Sequence, residues 1–161
     1  VYAYSYKHYK TWSEKLDKDY QDFGLVGENL TIDDFNEKQI NIGDELQIGN
    51  CIFQVSQPRI PCFKIGIKMN SREFPKMFSQ SCLLGAYLRV IKDGTISTND
   101  EIIISKKEPN SLSIYQIAEL IFKDINNIDK MKHALDLKYL TEEIKERFRE
   151  RLMKLGDFGS L

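Results

Sequence analysis

The stretch Gln57-Pro58-Arg59-Ile60-Pro61-Cys62-Phe63-Lys64 holds the residues best able to do chemistry. Cys62 stands between two cations, Arg59 and Lys64. Nearby positive charge stabilises a thiolate, and the thiolate is both the nucleophile and the metal ligand. Pro58 and Pro61 fix their own φ and push Gln57 and Ile60 towards extended backbone, so the segment loses little entropy when it is ordered. The competing reading is a buried structural cysteine on a loop after a strand, because free cysteines are among the most buried residue types. A second stretch, Gly24-Leu25-Val26-Gly27-Glu28-Asn29-Leu30, offers two glycines that permit a sharp turn or a close approach to a ligand. Glu28 and Asn29 there supply a charged acceptor and an amide; the alternative is a plain loop entering a strand.

Composition limits the other possibilities. At 161 residues, 42% hydrophobic and 29% charged, the chain is the size of one medium domain, or of a domain with a small appendage. A net charge of −1 gives no electrostatic footprint for nucleic acid or an anionic membrane. No apolar run is long enough to span a bilayer. The three cysteines, Cys51, Cys62 and Cys82, include no C-x-x-C pair, which argues against a disulfide framework or a structural zinc site and for a reducing cytoplasm. The start, Val1-Tyr2-Ala3-Tyr4, alternates without an initiator Met and reads as the middle of an element whose first segment is missing.

The elements that must position these residues are legible from period and punctuation. A first helix is expected from an N-cap at Ser5, with Tyr9, Trp12 and Leu16 as its apolar stripe, fading before Gly24. His8 lies beside that stripe and is read as a packing or surface residue. From Ile40 the pattern is β: Leu46 and Ile48, a turn at Gly49-Asn50, then Cys51, Phe53 and Val55. That register pairs Ile48 with Cys51 and Leu46 with Phe53, and counting by twos puts Gln57 on the same inward face. The Cys62 segment would thus leave the end of a core strand, a loop positioned by a rigid sheet. A helix is expected over 71–81 with Phe74, Met77 and Phe78 buried and Pro75 near its start. Strands follow at 86–91, 95–97 after a turn at Asp93-Gly94, and 102–104.

Near Pro109 the period changes from about 2 to 3.6. Ser113-Ile114-Tyr115-Gln116 is a capping box opening a helix with Ile114, Ile117, Ala118 and Ile121 on one face. Asp129 is expected to cap a second helix, with Met131, Ala134 and Leu135 apolar and His133 structural. Thr141 is expected to cap a third, carrying Ile144, Phe148, Leu152 and Leu155, with Gly156 ending it and a solvated Glu143–Arg147 pair on its outer face. Helices this short are not stable singly and should pack together. The expected fold is therefore a mainly β barrel with flanking helices over 1–107, incomplete at its N-terminus, followed by a small three-helix domain over 108–161.

In this order and at these distances, Gly27-Glu28-Asn29-Leu30, Ile42-Gly43-Asp44 and Val55-Ser56-Gln57-Pro58-Arg59-Ile60-Pro61-Cys62-Phe63-Lys64 resemble MOSC domains, most nearly the YiiM-type bacterial subgroup. The helical tail resembles the 3-alpha domain that follows the MOSC domain there. The resemblance implies a β-barrel that handles the molybdenum cofactor (molybdopterin), with Cys62 as the catalytic thiolate that ligates molybdenum or carries sulfur. It implies that Arg59 and Lys64 bind the pterin phosphate or hold the thiolate, and that Glu28, Asn29 and Gln57 belong to the cofactor pocket. The implied activity is reduction of N-hydroxylated compounds, such as N-hydroxylated purines, with electrons from a redox protein such as a flavoprotein. The alternative is a sulfur carrier or cofactor-binding module without redox turnover. Two departures stand out: an H-G-G motif usual upstream of the first helix lies before this chain begins, and Phe63 stands where tyrosine is common.

Overall fold

The computed structural model describes residues 1–157; the last four residues of the expected 108–161 domain lie outside them. Six strands form one sheet: β1 (Tyr2–Ser5), β2 (Leu30–Ile32), β3 (Glu45–Ile48), β4 (Cys51–Pro58), β5 (Ala86–Lys92) and β6 (Ile102–Lys106), in the order β2-β1-β5-β4-β3-β6. β1 and β2 are parallel and every other neighbouring pair is antiparallel. The sheet curls into a half-barrel. Its curvature has identifiable causes: register shifts interrupt β3 between Glu45 and Leu46, and β4 between Ile52 and Phe53 and between Val55 and Gln57. Each bulge bends its strand and increases the local twist. The hairpin register is the expected one, with Leu46 opposite Phe53 and Ile48 opposite Cys51.

Six helices flank the sheet: α1 (Lys7–Leu16), α2 (Phe63–Lys68), α3 (Phe74–Ser81), α4 (Ile114–Phe122), α5 (Ile128–Asp136) and α6 (Glu142–Lys154). Tyr9 and Trp12 of α1 are buried among Phe74 and Phe78 of α3, and the Trp12 indole donates to the Tyr4 hydroxyl at 2.6 Å. A second cluster joins the inner face of the sheet to the three C-terminal helices, running from Leu46, Phe53 and Val55 to Ile117, Met131, Ile144, Phe148 and Leu152. Asp44 adds a polar tie between the two regions. Its buried carboxylate accepts from the backbone of Asn41 and Glu108 and pairs with Lys107 at 3.1 Å.

Several local expectations are corrected. Ser5 is the last residue of β1 rather than a helix cap, because pairing with Ile32 claims it; α1 starts after Tyr6 without a side-chain cap. The Ser5 hydroxyl instead faces Asp33 and Phe35. Residues 95–97 form no strand, since β5 turns away from its ladder after Lys92 and Thr95 serves only as a backbone acceptor for Asn50. α2 was not anticipated. The α4 capping box is present, but α5 is capped by Asn127, whose side chain accepts from Lys130, while Asp129 occupies the first turn. On α6, Arg149 bridges Glu142 and Glu146; Glu143–Arg147 is not an ion pair among the described residues.

Because one apolar cluster spans the sheet and the C-terminal helices, urea should unfold both in a single transition. Leu152→Ala, at a fully buried position, should lower the stability of the whole by about 2–5 kcal/mol. Far-ultraviolet circular dichroism and tryptophan fluorescence of Trp12 would then give coincident midpoints; two separate transitions would show that the helices fold on their own.

Candidate functional site

Strand β4 delivers the candidate residues to the rim of the sheet. One residue past its end, the half-buried Arg59 guanidinium lies over the Tyr2 ring at 4.7 Å and donates to the Val26 carbonyl. A cation stacked on an aromatic face is worth about 0.5–2 kcal/mol, and a hydrogen bond from a charged donor somewhat more. Tyr2 is itself held by its hydroxyl, which donates to the Leu84 carbonyl at 2.7 Å. Burial pushes the Tyr2 phenol far above its ordinary pKa and Arg59 opposes this, so the ring stays neutral beneath the guanidinium.

The 24–29 loop is thereby clamped to the Cys62 segment. Arg59 holds it at Val26 and Lys68, from α2, donates to the Gly24 carbonyl. Gly27 takes φ +88°, a left-handed conformation that disfavours any side chain, and a Cβ there would lie 3.8 Å from the Arg59 guanidinium. Glu28 turns inward. Its buried carboxylate accepts from the Val26 N–H at 3.0 Å, from the Thr31 hydroxyl at 3.2 Å and from the Tyr9 hydroxyl, which in turn accepts from the Leu25 N–H. Burial and the neighbouring carboxylate both raise the Tyr9 pKa, so the phenol remains a donor. Asn29 brackets the Tyr2 backbone: its Oδ1 accepts from the Tyr2 N–H and its own N–H donates to the Tyr2 carbonyl, both at 2.9 Å.

Cys62 is exposed and immediately precedes α2; Lys64 is exposed on that helix. Among the described residues neither side chain has an internal hydrogen-bond or ion-pair partner. Gln57 is directed elsewhere: the bulge after Val55 buries it, and its Oε1 accepts from the Thr141 hydroxyl at the start of α6. The structure thus brings Arg59, Glu28 and Asn29 together around Tyr2, leaves Cys62 and Lys64 facing solvent beside them, and spends Gln57 on the helices. His8 binds both oxygens of buried Glu37 at 3.0 Å, and His133 contacts the Asn110 carbonyl at 2.8 Å. Among the described residues no three His, Cys, Asp or Glu side chains gather as a metal-binding group.

Sequence reasoning missed the supporting residues Tyr2, Tyr9, Thr31 and Lys68. Tyr9 gave a signal only as part of an apolar stripe, and Lys68 gave none without α2. The three thiols differ sharply: Cys51 and Cys82 are 4% and 0% exposed, and burial pushes the Cys82 thiol up, with Lys123 partly opposing it. Limited alkylation at neutral pH, read by peptide mass mapping, should label Cys62 first, by roughly tenfold or more over the other two. Arg59→Ala should speed amide exchange across 24–29 while the sheet stays protected; unchanged exchange there would mean that the clamp does not hold the loop.

The MOSC domain family matches residues 1–103. Over 155 residues the chain is 27% identical to the "Uncharacterized protein YflK" of Bacillus subtilis, spanning 96% of this chain and 70% of that one. It is 28% identical over 124 residues to a Gibberella moniliformis protein named "Reductase", spanning 75% of this chain and 22% of that one. The crystal structure of YiiM from Geobacillus stearothermophilus superimposes with a TM-score of 0.90 at 30% identity, over 94% of this chain and 77% of that one. MOSC domains as a family bind the molybdenum cofactor. The family match extends over more than half of the residues and takes in both the 24–29 loop and the Cys62 segment, and the chain belongs to the MOSC domain family.

Proposed function

We propose that this protein is a molybdenum-cofactor-dependent reductase of N-hydroxylated compounds, N-hydroxylated purines among them, with Cys62 as the protein ligand to molybdenum. The observation that carries this reading is an exposed, internally unpartnered thiol on a clamped segment of a MOSC domain. The donor set suits the group. One soft thiolate is what a transition metal that arrives with its own pterin ligands still needs, and hard cations would not choose it. Arg59 has donors beyond the one given to Val26, and Lys64 is free to meet an anion; both would take the pterin phosphate. Glu28 and Asn29 would act through position, the first fixing the 24–28 loop and the second fixing Tyr2 under Arg59. When bound, the cofactor supplies two-electron chemistry. The net conversion breaks the N–O bond, consumes two electrons and two protons, and releases the amine and water; the electrons come from a redox protein. A relative named Reductase supports the reaction class. The free thiols support a reducing compartment such as the cytoplasm. No helix among the described residues is long and apolar enough to cross a membrane.

The exposure of Cys62 also suits a second reading, in which the thiol carries a persulfide or hands on cofactor without redox turnover. Elemental analysis of protein from a cofactor-producing host separates the two: stoichiometric molybdenum supports the reductase, and sulfane sulfur on Cys62 without metal supports the carrier. Cys62→Ser replaces a soft ligand by a hard, weakly acidic hydroxyl of nearly equal volume. It should leave the melting curve in place, because the thiol is exposed, and abolish reduction of an N-hydroxylated purine by dithionite. Cys51→Ser should do the reverse, costing about 1–3 kcal/mol by placing a hydroxyl in the apolar core while activity per folded molecule is retained. A Cys62→Ser protein with wild-type rate and equal bound molybdenum would remove Cys62 as the ligand.

A further inference from the structure

The segment that follows Cys62 has a surface that ligand binding does not explain. On α2, Phe63 and Ile67 stand one turn apart and are each 72% exposed. Ile65 on the inner side of this helix and Met69 at its C-terminal cap are buried, so the helix already has its core face and the outer pair forms a separate apolar ridge. Phe63 and Ile67, with Arg72 and Pro75, line an open groove of about 430 Å³. Between residues 59 and 76 the chain carries Arg59, Lys64, Lys68, Arg72 and Lys76 against the single acid Glu73, although its net charge is −1 and the rest is therefore net acidic. Among the described residues none of these five cations pairs with a carboxylate: Arg59 and Lys68 donate to backbone carbonyls, and Lys64, Arg72 and Lys76 have no internal partner.

From this ridge and the local excess of positive charge around it we infer that α2 and the start of α3 form the docking surface for a small acidic electron-transfer protein, a flavin or iron–sulfur carrier. The inference rests on the reductase reading, which requires an electron donor to approach Cys62. An apolar centre ringed by charge of one sign is the anatomy of a transient interface: the centre gives contact, and the ring steers a partner of opposite sign and sets its orientation. Redox encounters lie at the small end of interface sizes, so one helix and a groove suffice. The ridge begins at the residue after Cys62, so a protein seated on it covers the thiol's side of the molecule. Nucleic acid and anionic lipid fit less well, because the excess of positive charge is local to this segment, the rest of the chain is net acidic, and the cations here surround exposed aliphatic and aromatic side chains.

The test is binding, read by calorimetry on the cofactor-loaded protein. The probes are two acidic carriers, an oxidised [2Fe–2S] ferredoxin and an FMN flavodoxin. At least one should saturate the wild type at low salt and weaken about tenfold when salt is raised to several times the physiological level. Arg72→Glu and Ile67→Ser lie outside the thiol and its clamp. Each should weaken that binding about tenfold, with circular dichroism and dithionite-driven reduction unchanged. Failure of both carriers to bind, or binding indifferent to both substitutions, overturns the inference. So does an Ile67→Ser protein that dissociates a dimer in sedimentation, which would give the ridge to a second copy. Salt-sensitive binding of anionic vesicles or duplex DNA in place of the carriers overturns it as well. If the carriers bind as expected and dithionite drives no reduction in the wild type, the reductase reading fails and the docking surface stands; the converse result removes the surface and leaves the reductase.

Discussion

Strand β4 pairs with β3 on one side and β5 on the other, so its path is fixed by two ladders at once. Where it ends, the chain must leave across the rim of the sheet, and Arg59 is the first residue free of both ladders. The part of the guanidinium that the fold covers needs a partner there, since a polar group buried without one is costly. It finds the Tyr2 ring beneath it and the Val26 carbonyl beside it. Those two contacts tie together β1, the end of β4 and the 24–29 loop, three parts of the chain that are remote in sequence. Lys68 makes the second tie from the far side of Cys62. The thiol thus lies between two cations that have both been committed to one loop.

The polar atoms around the site fall into two sets. Both oxygens of Glu28, the Oδ1 of Asn29 and the Oε1 of Gln57 are engaged by the chain itself. Cys62 and Lys64 are turned outward. This division follows from burial: a carboxylate placed inside the fold must find donors there, and Glu28 finds a hydroxyl from α1, one from β2 and a backbone amide. Such residues can orient a ligand only through the loop they hold. The groups near them whose desolvation the fold has not already compensated are the thiol, the Lys64 ammonium and the remaining donors of Arg59.

The hairpin, the three C-terminal helices and the motif around Cys62 were legible because each depends on short-range signals: period 2 about Gly49-Asn50, a capping box at Ser113, and a stiff segment punctuated by two prolines. The illegible parts depend on contacts remote in sequence. Phe63, Ile65 and Ile67 alternate as a strand would, and Gly66 weakens a helix, yet the segment is helical because Ile65 and Met69 both reach the aromatic core. Ser5 and Asp129 are good caps by residue type, but pairing with β2 takes the first, and Asn127 makes the cap bond one residue before α5 begins. Gln57 is buried, as the inward count expects, but the bulge between Val55 and Gln57 sets it opposite Tyr87 and out of step with Val55, and its Oε1 is taken by the Thr141 hydroxyl. Residues 95–97 have the composition of a strand and lack a neighbouring ladder to join.

That bulge gives the helical tail a part in the site. Gln57 lies two residues before Arg59, and its amide is held by Thr141 at the start of α6. On the adjoining strand Arg89 donates to the Tyr139 carbonyl at 2.9 Å, and behind both strands the shared apolar cluster runs into α4 and α6. A strand end held only by its two ladders would fray, since the last residues of a strand have few contacts and open at low free energy. Here the last residues of β4 are braced from the face that the helices cover, so the position of Arg59, and through it the position of the loop beside Cys62, depends on residues more than eighty positions away in the chain. The helices form no separate ornament on the sheet: one apolar cluster joins them to the inner face of the strand whose end leads to the thiol.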